Sequence, residues 1–281
     1  MRVRSVVSKA KRKLSVKEPV PYPILKGDYL KNRVAFITGG SSGIGFSIAE
    51  SFLQNGASVV ICGRNEEKLK AAKEKLEKVK ADHATVDIMA LDISKTEDID
   101  KTVNQFLEKY NKKIDILVNN AGVSRGANIG ATKIEDFEGL LKTNLEGTYF
   151  ISQFFLNYMR ENKIKGNILN IASASSLRPA NSPYIIAKWG VAGLTKGLAK
   201  TGIKDNIVVN GLAPGPTATP MLVKNTSDIY HPTNPSGRYA MPEEIANLAT
   251  ILVSDMGRMI VGDTLYASGG AGVITFDDMG Y

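Results

Sequence analysis

The feature that most constrains the fold of this chain is a regular alternation of short apolar runs with helical patterns, starting at residue 34. Short runs that are apolar throughout are typical of strands buried on both faces, and their alternation with helices indicates a parallel sheet. The sequence therefore predicts a single α/β domain, a doubly wound parallel sheet of about seven strands with helices on both faces. The predicted strands are 34–38, 58–63, 86–94, 114–122, 166–173, 206–215 and 262–270, and the predicted helices are 43–56, 65–80, 95–111, 135–162, 183–200 and 242–255.

The chain divides into two regions of different composition. Residues 1–30 are predicted to form a basic tail and a proline-rich linker, and residues 31–281 the folded domain. Residues 1–33 contain ten Lys or Arg and two acidic residues, so the net charge of +8 arises there and the rest of the chain is neutral. A neutral body gives no support to nucleic-acid binding by the domain.

The basic tail leaves three interpretations open. Residues 1–14 hold six basic residues and no acid, with their apolar residues near one face of a helix. Such a segment fits a solvated tail, a peripheral contact with an anionic membrane, or a mitochondrial targeting segment.

Cysteine and histidine are scarce, which excludes several classes of protein. Cys62 is the single cysteine, and His83 and His231 are the only histidines. A disulfide framework is excluded, and no residues have the spacing of metal ligands, so no metal site is expected. No apolar stretch is long enough for a transmembrane helix, and the N-terminus lacks the apolar core of a secretory signal. The expected location is the cytoplasm, with any membrane association limited to residues 1–14.

A glycine-rich turn, "TGGSSGIG" at residues 38–45, follows the first predicted strand and opens the first helix. At this point of a Rossmann-type sheet, glycines let the backbone approach a dinucleotide pyrophosphate, and the helix N-terminus supplies free N–H groups. The turn thus predicts a dinucleotide site with contacts from Gly39, Ser41, Ser42, Gly43, Ile44 and Gly45.

The end of the second strand, "CGR", bears on the choice of cofactor. An acidic residue here would accept hydrogen bonds from the adenosine ribose of NAD, but Gly63 occupies that place and Arg64 follows it. A guanidinium suits a 2′-phosphate, so NADP(H) is favoured and NAD(H) stays open.

The stretch "YIIAK" places a phenol and an ammonium four residues apart, at Tyr184 and Lys188. On a helix these positions lie on the same face. A free phenol has a pKa of about 10, and a neighbouring ammonium favours the phenolate. The pair is therefore a candidate for proton exchange, with Lys188 expected to lower the pKa of Tyr184.

Together, "TGGSSGIG", "NNAG" at residues 119–122, "NIAS" at residues 170–173 and "YIIAK" resemble the short-chain dehydrogenase/reductase family over roughly residues 30–270. Within it, the chain is most similar to reductases of carbonyl and acyl-carrier substrates. The resemblance implies that Tyr184 is the catalytic acid or base, that Lys188 also binds the nicotinamide ribose, and that Ser173 hydrogen-bonds the substrate carbonyl. It implies that Asn144 holds a water linking Lys188 to solvent.

The resemblance implies further cofactor contacts beyond the glycine-rich turn and Arg64. These are Asp92, Ile93, Asn119, Ala121, Gly122, Tyr184, Lys188, Pro214, Gly215, Thr217 and Thr219. Thr217 stands where an aliphatic residue is usual in the family, so only its backbone is expected to take part. Ser42 is a second departure and weakens the preference for NADP(H), because NADP-preferring relatives often have a basic residue just before Gly43.

The implied activity is hydride transfer between nicotinamide and a carbonyl or secondary alcohol, as in an NADPH-dependent ketone or 3-oxoacyl reductase. A sugar or polyol dehydrogenase or reductase is an open alternative, and a non-catalytic NADP-binding sensor or scaffold is another. The expected partners are a small-molecule substrate and further copies of the chain, in a homodimer or homotetramer built on the helices of residues 142–162 and 183–200.

Overall fold

The computed structural model describes residues 25–110, 113–124, 126–223 and 229–273. The tail of residues 1–14, for which a membrane contact is predicted, lies outside the described residues, as does most of the proline-rich linker.

Seven parallel strands form one sheet in the order β3-β2-β1-β4-β5-β6-β7, which confirms the predicted fold. The strands are shorter than predicted at several ends, because their pairing stops where loops leave the sheet. The strands are β1 Val34–Thr38, β2 Ser58–Gly63, β3 Val86–Ala90, β4 Ile116–Asn119, β5 Asn167–Ile171, β6 Val208–Pro214 and β7 Thr264–Ala267.

Helices connect the strands and cover both faces of the sheet. They are α1 Gly43–Gln54, α2 Glu66–Leu76, α3 Ile99–Tyr110, α4 Ile134–Leu141, α5 Gly147–Glu161, α6 Pro183–Gly202 and α7 Pro242–Val253. The predicted helix at 135–162 is in fact α4 and α5, joined by a π-helical turn at Lys142–Glu146. Such turns are rare and frequent at functional sites.

Two apolar layers hold the sheet between its helices. Successive side chains of a strand point to opposite faces, so Ile37 joins the layer under α1, α2 and α7, while Phe36 joins the layer under α3, α5 and α6. Both side chains are fully buried. This alternation explains why the strands are apolar throughout rather than at every second position.

The domain contacts begin before residue 31. The Leu25 N–H donates to Asn247 Oδ1 at 3.1 Å, Asn55 Nδ2 donates to the Leu25 carbonyl at 2.8 Å, and the Leu30 side chain is fully buried. The end of the predicted linker is therefore attached to α1 and α7, while the division of the whole chain at residue 30 stays a prediction.

Candidate active site

A cleft of about 500 Å³ runs along the carboxyl edge of the sheet. The strand order reverses between β1 and β4, and open α/β sheets bind ligands at such a switch point. Among the predicted site residues, those that line the cleft are Gly39, Ser41, Ser42, Gly43, Ile44, Arg64, Asp92, Ile93, Ala121, Gly122, Ser173, Tyr184, Lys188, Pro214, Gly215, Thr217 and Thr219. Three others, Gly45, Asn119 and Asn144, do not line it.

The glycine-rich turn takes a backbone path that favours glycine. Gly39 and Gly43 have φ angles of +65° and +55°, in the left-handed region. A Cβ on Gly39 would also lie 2.9 Å from the Ala121 Cα atom. Gly45 has a different role from the predicted cofactor contact, since it is buried and a Cβ there would lie 2.5 Å from the Gly39 carbonyl and collide with Asn120. It permits close packing behind the turn.

Helix α1 starts at this turn with its first N–H groups free of side-chain caps. Ser42 is the N-cap residue, yet its side chain makes no capping hydrogen bond, and no acidic residue lies in the first turn. Uncapped N–H groups and the positive end of the helix dipole form a site for an anion. The turn therefore fits the pyrophosphate of a dinucleotide.

Two basic side chains line the cleft near the end of β2. Arg64 lines the cleft there, and Lys68, one turn into α2, joins it. Asp92 is the only acidic side chain among the described lining residues, and it accepts hydrogen bonds from the backbone N–H and hydroxyl of Ser94. Sequence reasoning did not single out Lys68, although its position in the first turn of the helix that follows Arg64 was available as a signal.

Of the two asparagines at the end of β4, Asn120 lines the cleft and Asn119 does not. Asn119 was expected to line the cofactor cleft, but its side chain is buried and its Nδ2 donates to Ser152 Oγ and Asn170 Oδ1 at 2.7 and 2.8 Å. Asn120 lines the cleft, and its Nδ2 donates to the carbonyls of Thr38 and Gly39 at 3.0 and 3.1 Å. Asn120 thereby ties the glycine-rich turn to β4.

Asn144 lies in the π-helical turn and is buried. Its Oδ1 accepts from the Val123 N–H and its Nδ2 donates to the Val123 carbonyl, both at 2.8 Å. Both ends of the amide are thus bound to one backbone residue beside the cleft. The side chain positions the segment after β4, and its predicted link to water and Lys188 stays a prediction.

Ser173, Tyr184 and Lys188 meet at the other end of the cleft. Ser182 caps α6 by accepting from the Ile185 N–H, and Pro183 occupies its first turn, so Tyr184 is set at the start of the helix. The Lys188 Nζ atom lies 5.8 Å from the centre of the Tyr184 ring and donates to the Ile171 carbonyl at 2.7 Å. Ser173 follows β5 at the same end of the cleft, and its hydroxyl interacts with the phenol of Tyr184.

Burial shifts the pKa values of both Tyr184 and Lys188. Burial raises the pKa of Tyr184, and the hydrogen bond with Ser173 opposes that rise. Burial also lowers the pKa of Lys188 to about 8. In the free chain the net shift of the Tyr184 pKa is therefore upward, because desolvation of the phenolate dominates, and the predicted lowering by Lys188 does not set its direction.

The segment after β6 closes the cleft over the glycine-rich turn. Gly215 passes so close to β7 that a Cβ would lie 2.6 Å from the Ser268 carbonyl. Thr217 is buried, its hydroxyl donates to the Gly215 carbonyl at 3.0 Å, and Thr219 lies against Gly43. The Thr217 side chain is thus used within the turn, and the contact of its backbone with a cofactor stays a prediction.

Fold and site together define the class of protein: a Rossmann-type enzyme with a dinucleotide cleft that ends at a partly buried phenol and a buried hydroxyl and ammonium. Within the described residues no cluster of His, Cys, Asp and Glu could hold a metal ion, and no described helix is long and apolar enough to cross a membrane.

Comparison with known proteins identifies the family. The sequence pattern of the family described as short chain dehydrogenase matches residues 33–229. The chain is 38% identical over 246 residues to a 3-oxoacyl-(acyl-carrier-protein) reductase of Chlamydia trachomatis, covering 86% of this chain and 98% of the relative. It is 36% identical over 247 residues to a 3α-hydroxysteroid dehydrogenase of Mediterraneibacter gnavus, with the same two coverages.

A solved structure supports the same conclusion. The crystal structure of 3-ketoacyl-(acyl-carrier-protein) reductase from Brucella melitensis, complexed with NADH, is 31% identical and superimposes with a TM-score of 0.75, covering 87% of this chain and all of that one. The chain belongs to the short-chain dehydrogenase family and is an NAD(P)-dependent oxidoreductase acting between hydroxyl and carbonyl groups.

Proposed function

We propose that the protein is an NADPH-dependent reductase of a ketone or 3-oxoacyl substrate. The observation that carries the proposal is the meeting of Ser173, Tyr184 and Lys188 at one end of a cleft whose other end holds Arg64. By their names, the relatives are a 3-oxoacyl-(acyl-carrier-protein) reductase and a 3α-hydroxysteroid dehydrogenase, which agrees with carbonyl chemistry. Because these substrates differ, the substrate of this chain has to be argued from its own residues.

In the proposed reaction the side chains handle the proton and the developing charge. When bound, the reduced nicotinamide supplies the hydride. Tyr184 gives its phenolic proton to the carbonyl oxygen. A phenol is protonated near neutrality, and in the free chain burial raises its pKa further. The Ser173 hydroxyl donates a hydrogen bond to the same oxygen, and Lys188 offers a cation nearby. Oxidation of an alcohol uses the same groups in reverse.

The preference for NADPH rests on the charges after β2. Arg64 has no carboxylate partner among the described residues, and Lys68 lines the same part of the cleft. Both cations suit a 2′-phosphate through charge-assisted hydrogen bonds. An acidic residue at the position of Gly63 would bind the adenosine ribose of NAD, and glycine provides no carboxylate there. The glycine-rich turn, the uncapped start of α1 and Asp92 would hold the remainder of the dinucleotide.

Assembly and location are part of the proposal. The outer faces of α5 and α6 expose large apolar side chains, and 39–50% of the surface of Tyr149, Phe150 and Trp189 is accessible. We infer that these helices form the contact of a homodimer or homotetramer, since a patch of this kind marks an interaction surface. We also propose a cytoplasmic location and a membrane contact through residues 1–14. Light scattering tests the homo-oligomer, and sedimentation with vesicles tests the membrane contact.

The first experiment is to follow NADPH and NADH consumption by the purified protein with ketones, keto-sugars and 3-oxoacyl thioesters. The control is Tyr184→Phe, which keeps the ring but removes the proton. We expect turnover with NADPH, and a loss of about 10²- to 10⁴-fold in kcat in the variant, because general acid catalysis contributes about that much. NADPH binding should stay within about twofold. A Tyr184→Phe variant as active as the wild type would contradict the assignment, and turnover only of sugars or polyols would favour that substrate class instead.

A further inference from the structure

The arginines of the described residues divide into two groups. Four of them bind a carboxylate, and these pairs are Arg33–Asp115, Arg160–Asp205, Arg238–Glu244 and Arg258–Asp255. The other two, Arg64 and Arg178, have no hydrogen-bonded or ionic partner for their guanidinium within the described part of the chain, and both line the cleft. Arg64 follows β2 and Arg178 follows β5, on opposite sides of the switch point, so only Arg64 lies where the cofactor phosphate is expected.

The backbone of Arg178 is fastened on both sides while its head group is unpaired. Arg178 ends the short helix of Ala174–Leu177 that begins directly after Ser173. Its N–H donates to the Ser175 carbonyl at 3.0 Å, and its carbonyl accepts from Trp189 Nε1 on α6 at 2.9 Å. The residue is thereby tied to the two elements that carry Ser173 and Tyr184. A guanidinium held on a fixed backbone loses less conformational freedom on binding an anion than one on a mobile loop.

The surroundings of Arg178 favour an anion that is attached to an apolar body. Acidic side chains do not line this end of the cleft in the described residues, because Asp92 lies beside β3 at the other end. Met221 and Leu222 line the cleft and expose 59% and 53% of their surface. A ligand that fills the cleft as far as Arg178 can therefore contact these apolar side chains, and at the Arg178 end it meets an unpaired guanidinium and no opposing carboxylate.

We propose that Arg178 binds an anionic group of the substrate, so that the enzyme selects ketones bearing a carboxylate or a phosphate. The inference rests on the proposed carbonyl reduction and adds the substrate class to it. A carboxylate or phosphate matches the planar guanidinium with two parallel hydrogen bonds. Arg178 thus acts in specificity, by holding the anion while the carbonyl lies at Ser173 and Tyr184.

The kinetic test compares each anion with a neutral partner of similar size. The pairs are 4-oxopentanoate with its methyl ester, and dihydroxyacetone phosphate with dihydroxyacetone. In Arg178→Gln, kcat/KM for the preferred anion should fall by about tenfold or more, mainly through KM, since a hydrogen bond to a charged group contributes about that much. The neutral partner should change by less than about threefold. Arg178→Lys should recover part of the loss, and Arg258→Gln, a surface arginine, should leave all four substrates unaffected.

The outcomes separate the two possible anions and the two proposals. A loss confined to the phosphate pair assigns a phosphate, and a loss confined to the acid pair assigns a carboxylate. Equal changes for an anion and its neutral partner would overturn the role of Arg178 and leave the reductase proposal intact.

A binding measurement tests Arg178 without turnover. Trp189 is the only tryptophan of the chain, and it donates to the Arg178 carbonyl, so its fluorescence reports on this site. In the NADP⁺-loaded enzyme, 4-oxopentanoate or dihydroxyacetone phosphate should change the emission at a concentration that rises about tenfold or more in Arg178→Gln. An identical titration in wild type and variant would overturn the inference, even if no ketone is reduced.

Discussion

Arginines at the two edges of the sheet are treated in opposite ways. At the amino edge, Arg33 pairs with Asp115 and its Nη2 donates to Asn167 Oδ1 at 2.9 Å, while Asp115 Oδ2 also accepts from the Val34 N–H at 3.0 Å. At the carboxyl edge, the guanidiniums of Arg64 and Arg178 have no partner within the described residues.

This difference separates stability from function. Polar groups that satisfy one another inside the protein contribute to folding, whereas groups that are left unpaired in a cleft are available to a ligand. The comparison therefore predicts that substitutions at the amino edge change the free energy of unfolding. Substitutions at the carboxyl edge should change binding or catalysis instead.

The largest effect on stability is expected from Asp115→Ala. The substitution leaves a partly buried Arg33 and the Val34 N–H without their acceptor, and removal of one partner from such a network costs about 3 kcal/mol. Urea unfolding measures this change, and kcat of the folded variant should stay within about twofold of wild type. If kcat fell while the free energy of unfolding stayed the same, the amino edge would not be the edge that serves stability alone.

Asp115→Asn provides the matched control. Burial raises the pKa of Asp115 although Arg33 opposes the rise, so the charge itself is costly at this position. An amide keeps one acceptor oxygen and nearly the same shape. We therefore expect the asparagine variant to lose less than half as much stability as the alanine variant.

The second prediction concerns Lys188, whose ammonium has the Ile171 carbonyl but no carboxylate as partner in the described chain. Burial lowers the pKa of Lys188 from 10.5 to about 8, so folding disfavours the charged form. Below pH 8 both states carry the proton and the cost is complete. Between about pH 8 and 10.5 the unfolded state binds more protons, so stability rises with pH through this window, by roughly 3 kcal/mol in total.

Lys188→Met isolates this contribution, because methionine is of similar length and does not titrate. The free energy of unfolding of the free chain, measured from pH 7 to 10.5, should rise in wild type relative to the variant. The variant should be the more stable protein at pH 7 and should lack activity. If the free energy of unfolding of the two proteins changed with pH in the same way, burial would not disfavour the charged form of Lys188.

The sheet and the position of the cleft could be predicted because they depend on patterns that are local in the sequence. Apolar runs and helical spacing fix which segments pair, and the loop after β1 carries its own glycine signature. Ser173, Tyr184 and Lys188 lie together because they follow β5 or begin α6, and a parallel sheet brings these ends to one edge.

The remaining features depend on tertiary packing. Asn119 and Asn120 are chemically identical, and only the phase of β4 decides which of them enters the core. The direction of the Tyr184 pKa shift depends on burial, which the spacing of a tyrosine and a lysine does not contain. Arg178 lies after Ser173 in a segment without periodicity. That its guanidinium has no partner is known only from the structure, which shows what the other described arginines bind.

The smallest expected effect sharpens the comparison at the cofactor end of the carboxyl edge. Gly63 has space for a side chain, since the nearest atom to an added Cβ, Leu69 Cδ2, is 3.8 Å away. Gly63→Asp would place a carboxylate beside Arg64, neutralising the guanidinium and repelling a 2′-phosphate. We expect kcat/KM for NADPH to fall about 10- to 100-fold and that for NADH to be maintained or to rise. Gly63→Asn, of equal size but neutral, should shift the NADPH-to-NADH ratio far less. An unchanged ratio in both variants would mean that Arg64 does not select the cofactor, and that the unpaired arginines of this edge need separate explanations.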